Sequence, residues 1–309
     1  MAQNRLKSAS LGALLLLVPA IAHADADRVI TVPGFADFLV VEGDAVWATN
    51  KGRIERWTLA GKTAEVTVDH PCGAMAIDRG ALWVADCDRH AVLRIDLASA
   101  KVTDSVATGI ANGEGELNVV AGAGAIWVAS DAKGAISRID PATRAVIATI
   151  AVDADTTYLA WGFDALWAVS PTKRTLQRIN PRTNQVDMVV PLGDTPGFLV
   201  AGEGAVWVQE QGDGTLARVD PASGAVTART KVGANLKWGD IDAGGGHVWL
   251  RTTDDQEFAV IDPKTGAVGA RVGAAAGSGA LRFTVRGIWT TAHDQHTLSW
   301  WALPAPFAK

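Results

Sequence analysis

Two cysteines, six histidines and a scatter of carboxylates hold most of the reactive side chains of this chain. The densest group is His70-Pro71-Cys72 with Cys87-Asp88-Arg89-His90. Between them Arg79-Gly80 has the form of a two-residue hairpin turn, and Cys72 and Cys87 each stand seven residues from it. That symmetry predicts that the two cysteines face one another directly across paired strands, within disulfide reach. His70, Cys72, Cys87 and His90 could instead bind a metal, or the thiols could act as a redox pair. Their spacing matches no zinc signature, and an oxidising compartment, implied by the leader described below, favours the bridge.

The remaining candidates are more dispersed. His293-Asp294 and His296 could be ligands but fit a polar turn, and His247 falls in a solvated one. The acidic run Asp254-Asp255-Gln256-Glu257 lacks the alternating spacing of a calcium loop. The chain contains no serine nucleophile elbow, P-loop or HExxH motif.

The elements that position these residues are set by a tryptophan recurring about every 40 residues: Trp47, Trp83, Trp127, Trp167, Trp207, Trp249 and Trp289. A period near 40 in a β-rich chain marks a propeller with one four-stranded blade per unit. Aligned on the Trp, each unit shows an inner strand A, a turn, strand B carrying the Trp, a polar loop and strand C. Strand C carries Arg-aliphatic-Asp, as in Arg138-Ile139-Asp140 and Arg218-Val219-Asp220. A turn such as Asp220-Pro221-Ala222-Ser223-Gly224 then leads to strand D. Proline presets φ, aspartate bonds its own backbone and glycine takes positive φ.

The Trp is expected to pack between blades, and the strand C Arg to be a solvated or blade-edge residue. The last unit ends after strand C, while Arg28-Val29-Ile30-Thr31-Val32 resembles a strand D. The N-terminal strand should therefore complete the last blade and close an all-β, seven-bladed ring, removing its open edge.

Counting back eleven residues from each Trp locates the mouth of the channel. Those positions are Ala36, Cys72, Glu116, Thr156, Pro196, Trp238 and Ser278. Two residues further on stand Phe38, Ala74, Asn118, Tyr158, Phe198, Asp240 and Ala280. This variety in an otherwise regular repeat marks a ligand site, for which Glu116, Asn118, Tyr158, Glu210, Lys237, Trp238 and Asp240 are the candidates. If the protein is an enzyme, Glu116, Glu210 and Asp240 are its expected acid–base residues.

Residues 1–24 have a basic start, a short apolar run and Ala22-His23-Ala24, the form of a signal peptide cleaved before Asp25. Residues 25–309 then make one propeller domain, expected in the periplasm or secreted, monomeric and not inserted in a membrane. Removing Arg5 and Lys7 with the leader takes the formal charge from −5 to −7. An acidic chain without a Lys/Arg block excludes electrostatic nucleic-acid binding.

The repeat G-x-[IVL]-W-[VFA] … R-I-D-P-x-T-G resembles the YVTN or YncE-like seven-bladed propellers, and also the streptogramin (virginiamycin B) lyases. The latter resemblance implies magnesium-dependent elimination on a cyclic depsipeptide, using histidines at the start of strand A and acids after the Trp. Trp207-Val208-Gln209-Glu210 keeps such an acid and Asp86 is a looser match, but no strand A start carries a histidine. The expectation is a non-catalytic exported propeller, without a cofactor, that binds a small molecule, peptide or partner protein. The alternative is a related lyase or hydrolase, with Mg2+ as its metal.

Overall fold

The structure, a computed structural model, describes residues 25–309 apart from 115–116, 238, 253–257, 274–276, 304–306 and 308–309. Every regular element among the described residues is a β-strand, and the strands form seven four-stranded antiparallel sheets. Blade two runs from the inside outward as Pro71–Asp78, Ala81–Asp86, Ala91–Asp96 and Lys101–Ala107. Blades one to six each use four consecutive strands. The seventh uses Leu281–Thr284, Gly287–Ala292 and Thr297–Ala302, with Arg28–Thr31 as its outer strand. Arg28 lies opposite Trp300 and Thr31 opposite Thr297. Inner strands of successive blades touch all round the ring, including Leu39–Glu42 against Leu281–Thr284.

The core is divided into seven wedges, each holding one repeat Trp against the next blade. Trp83 of blade two packs with Val119, Ile126 and Val128 of blade three. Trp207 of blade five packs with Val248 and Leu250 of blade six. Trp289 of blade seven meets Leu39, Val46 and Ala48 of blade one, which completes the circle. All seven rings are at most 1% exposed. Burying an indole of this size is worth roughly 4–6 kcal/mol, an upper value on an extended-chain reference. The indole N–H of Trp127, Trp167, Trp207 and Trp249 donates to a carbonyl five residues upstream, from 2.9 to 3.1 Å.

Three strand C arginines, Arg138, Arg178 and Arg218, are ties between blades rather than solvated residues, whereas Arg94 bonds Thr103 within its own blade. Arg138 Nη1 donates to the Pro181 carbonyl of blade four, 2.7 Å away. Arg178 reaches Pro221 of blade five at 3.1 Å, and Arg218 reaches Pro263 of blade six at 3.2 Å. Two of these guanidinium groups also lie over their own blade's Trp, Arg138 at 4.8 Å and Arg218 at 5.7 Å from the ring centroid. The strand register slips directly after this position in blades one to six, for example between Arg138 and Ile139. Such a bulge increases local twist. The tied carbonyl belongs to the turn of the neighbouring unit, a contact that the spacing within one repeat does not reveal.

The turns after strand C behave as their residues require. Gly224 and Gly266 take φ of 74° and 73°. An added Cβ at Gly224 would meet Met188 Sδ at 2.6 Å, whereas at Gly266 the nearest atom is Thr230 Oγ1 at 3.4 Å. Gly224→Ala and Gly266→Ala should each cost about 1–2 kcal/mol of backbone strain. Gly224→Ala should cost measurably more in a denaturant titration, because Met188 must also move.

The turn aspartates accept hydrogen bonds in their ionised form. The Ser223 hydroxyl lowers the Asp220 pKa and the Ser99 hydroxyl that of Asp96. Backbone N–H groups of Ala142 and Lys264 lower Asp140 and Asp262. Their stabilisation is fully present above the ordinary value of 3.8 and is lost as pH falls through the lower folded values. Melting temperature should therefore fall below pH 4, and Asp220→Asn should flatten that fall without steepening it.

Candidate functional site

On the face where the inter-blade connections and the B–C turns meet, blades one, two and seven enclose a cavity of about 530 Å3. Its walls start from three local features. Phe35, Asp37 and Phe38 come from the connection into blade one, Asp69–Gly73 from the connection into blade two, and Lys51, Asp88 and His293 from B–C turns. Asn50, the last residue of its strand, pins the first of these. Its Oδ1 accepts the Phe35 N–H at 2.6 Å and its Nδ2 donates to the Pro33 carbonyl at 3.1 Å.

The cysteine pair forms one wall. Cys72 and Cys87 are joined by a disulfide with Cα atoms 6.0 Å apart. They are not directly opposed, as equal spacing from the turn predicts. Cys72 lies opposite Ala85, and the register shifts between Cys72 and Ala76. Gly73 causes this shift, with φ of 76° and the Leu117 carbonyl where a Cβ would stand. Ala74 N–H donates to that same carbonyl at 2.9 Å, drawing the strand toward blade three. The bridge therefore runs diagonally, which strand neighbours at this distance permit.

Acidic groups outnumber basic ones around the cavity. Asp69 Oδ2 takes Arg89 Nη2 at 2.7 Å, and Asp88 Oδ1 lies 3.0 Å from His70 Nδ1. Both pairs are exposed, so solvent screens them and neither adds much to stability. Among the described residues neither Lys51 Nζ nor the Glu114 carboxylate has an ion-pair partner. Phe35 stacks on His293 with centroids 4.0 Å apart. Burial, with the nearby Arg251 cation adding to it against the pull of Asp294, holds the His293 imidazole below its ordinary value and neutral at pH 7.

The structure distributes the residues singled out in the sequence differently from the way their spacing suggests. Tyr158 and Phe198 lie 4.8 Å apart, and Phe198 lies 6.3 Å from Phe38, so the three rings span the channel. Asn118 ties blade three to blade four, accepting the Leu159 N–H at 3.4 Å. Asp240 ties blade six to blade seven through the Leu281 N–H at 3.2 Å and Arg282 Nη1 at 2.5 Å. Lys237 is exposed on the connection into blade six. Glu116, Trp238 and the run Asp254–Glu257 lie outside the described residues.

Glu210 is fully buried and fully engaged. Its Oε1 accepts the Gly193 N–H at 2.7 Å, its Oε2 the Thr215 hydroxyl at 2.7 Å, and Arg229 Nε lies 2.9 and 3.0 Å from the two oxygens. A guanidinium against both oxygens repels a divalent cation. Among the described residues, no three His, Cys, Asp or Glu side chains gather at metal-holding distance. These residues do not fit magnesium.

Sequence spacing does carry a signal for the cavity, four residues after each Trp. That count lands on Lys51, Cys87 and His293, all at the cavity or in its disulfide wall. A second signal lies seven residues before each Trp. Val40, Ala76, Val120, Ala160 and Val200 give way to Asp242 and Arg282 in the last two blades. Burial of the Asp242 carboxyl pushes its pKa up, against the opposing pull of Arg282.

Fold and site together define a seven-bladed β-propeller with a disulfide-walled mouth. No protein-family model and no curated protein matches the sequence. Solved structures match the fold. Virginiamycin B lyase from Staphylococcus aureus superposes with a TM-score of 0.75 at 16% identity, over 90% of this chain and 99% of that one. A streptogramin B lyase gives 0.72 at 15% identity, over 88% and 94% of the two chains. A chain of a mitotic checkpoint complex gives 0.76 at 14% identity, over 97% and 99%. What is shared across proteins of such different kinds is the propeller itself.

The bridge closes a separation of 15 residues. The double variant Cys72→Ala/Cys87→Ala should lose about 3 kcal/mol in denaturant unfolding. Hydrogen exchange should rise first in Gly73–Met75 and the neighbouring B–C turn, with the outer strands unaffected.

Proposed function

We propose that the protein is an exported, monomeric propeller, freed of residues 1–24, that binds a small ligand, peptide or partner protein at the mouth cavity without transforming it. The cavity of about 530 Å3 carries this reading, since it is within the size range of small-molecule sites and combines apolar walls with a few placed polar groups. Support also comes from the acids a catalyst would need. Glu210 and Asp240 are consumed in holding connections and blades together. Paired with arginines in this way, Glu210 and Asp240 do not fit a magnesium ion.

The test is a thermal-shift screen of metabolites and short peptides, followed by variants. Phe35→Ala should weaken any hit about tenfold, as expected for losing a stacked aromatic wall and its contacts. Glu210→Gln should lower the melting temperature, costing about 2 kcal/mol, and leave affinity unchanged. Hits insensitive to Phe35→Ala would place binding elsewhere. Recovery of an N-terminus at Asp25 from the periplasmic fraction checks export.

One observation favours the enzyme reading. His70 lines the cavity with its Nδ1 held by Asp88 at 3.0 Å, and His293 lines the same cavity. An imidazole oriented by a carboxylate can move a proton in a lyase or hydrolase. Turnover of any bound compound that disappears in His70→Gln and weakens in Asp88→Asn would establish that reading over simple binding.

A further inference from the structure

We infer that a second cavity, at the seam where the ring closes and on the face opposite the mouth, takes a small neutral compound of one ring or two fused rings. The site is separate from the mouth and does not depend on what binds there. Its volume is about 210 Å3, and Trp289 and Trp300 of blade seven and Leu59 of blade one form its apolar walls. The seam differs from the other wedges in the residue opposite the repeat Trp. Blades one to five place an arginine there, as in Arg138 opposite Trp127, and blade six places Val260. Blade seven places Trp300 opposite Trp289, and the two indoles meet edge-on with centroids 5.0 Å apart.

Two further changes accompany that indole. Blades one to five carry alanine two residues before the repeat Trp, as at Ala45 and Ala205, whereas blade seven carries Gly287. A Cβ on Gly287 would stand 2.5 Å from the Trp300 ring, so the glycine makes room for it. Leu59 stands three residues after the strand C arginine of its blade, where blades four and five have Pro181 and Pro221. Arg138 crosses its wedge to the Pro181 carbonyl, but at the seam an indole and a leucine flank an open space instead.

The walls select the ligand. An apolar cavity of about 150 Å3 holds one benzene ring, so about 210 Å3 admits one ring or a fused pair. Thr58 Oγ1 accepts the Ala60 N–H at 3.2 Å, and the Thr284 hydroxyl donates to the Gly287 carbonyl at 2.8 Å, so both serve their own turns. At the rim Arg286 Nη1 donates to Asp44 Oδ1 at 2.7 Å, from blade seven to blade one. A charged ligand would lose water here and find its counter-charge already paired. A flat neutral body gains contact with indole and leucine, and in doing so joins the first blade to the last.

Indole, tryptamine and indole-3-acetate test this, titrated into isotope-labelled protein while the side-chain N–H signals of Trp289 and Trp300 are followed by NMR. Indole should shift both signals to saturation, and the two charged analogues should bind at least about tenfold more weakly. Trp300→Arg gives blade seven the residue type that blades one to five hold there. It should weaken indole at least about tenfold, read at Trp289. Leu59→Ser should do the same from the blade one side, and serves where Trp300→Arg does not fold. Phe35→Ala, at the mouth, should leave the response at the seam unchanged.

No shift at Trp289 or Trp300 with any probe at about 10 mM would overturn the site. So would a shift that Phe35→Ala removes, or one that survives both Trp300→Arg and Leu59→Ser. Charged analogues binding as tightly as indole would overturn the neutral class.

Discussion

Each repeat Trp is buried not within its own blade but against the next one. This single contact organises the molecule. A four-stranded sheet cannot cover its own two faces, and here each blade supplies one indole that fills the wedge beside its successor. The relation is directional, so it closes only when the seventh Trp finds the first blade, as Trp289 does with Leu39, Val46 and Ala48. The seventh sheet in turn takes its outer strand from the other end of the chain. Packing and closure are therefore one constraint.

The polar groups follow the same direction. Arg138, Arg178 and Arg218 each reach the proline carbonyl of the following unit. Asn118 and Asp240 receive N–H groups from the following inner strand. Buried polar groups must be paired, and in a ring of sheets the available partners lie across the wedges. This explains why residues chosen for their chemistry became structural. Glu210 at the end of its strand accepts the Gly193 N–H and pairs with the Arg229 cation, and these consume it.

The mouth departs from the repeat at one place. At Gly73 the inner strand of blade two bends to the Leu117 carbonyl, shifting its register and turning the Cys72–Cys87 bridge into a diagonal wall. Beside that wall, the connection into blade one is pinned by Asn50, leaving Phe35 projecting against His293. The cavity is thus a consequence of broken symmetry. Proteins that share this fold at 14–16% identity share the blades, which leaves each mouth free to differ.

By itself the sequence determined what repeats and what is local. The 40-residue period specified seven blades, the Asp-Pro-x-Ser/Thr-Gly segments specified their turns, and the strand-like segment from Arg28 to Val32 matched the strand missing from the last unit. The pairing of Cys72 with Cys87 was legible too, because it spans one hairpin. Only the tertiary structure decided the slip at Gly73, the partners of the strand C arginines and the neighbours of Glu210. It also decided which turns share a cavity. Each of these depends on atoms supplied from another blade or a distant connection, as Leu117 is to Gly73 and Pro181 to Arg138. A periodic pattern records what each unit is made of. It does not record which neighbouring backbone group will meet a given side chain across a wedge, and the site is built from those meetings.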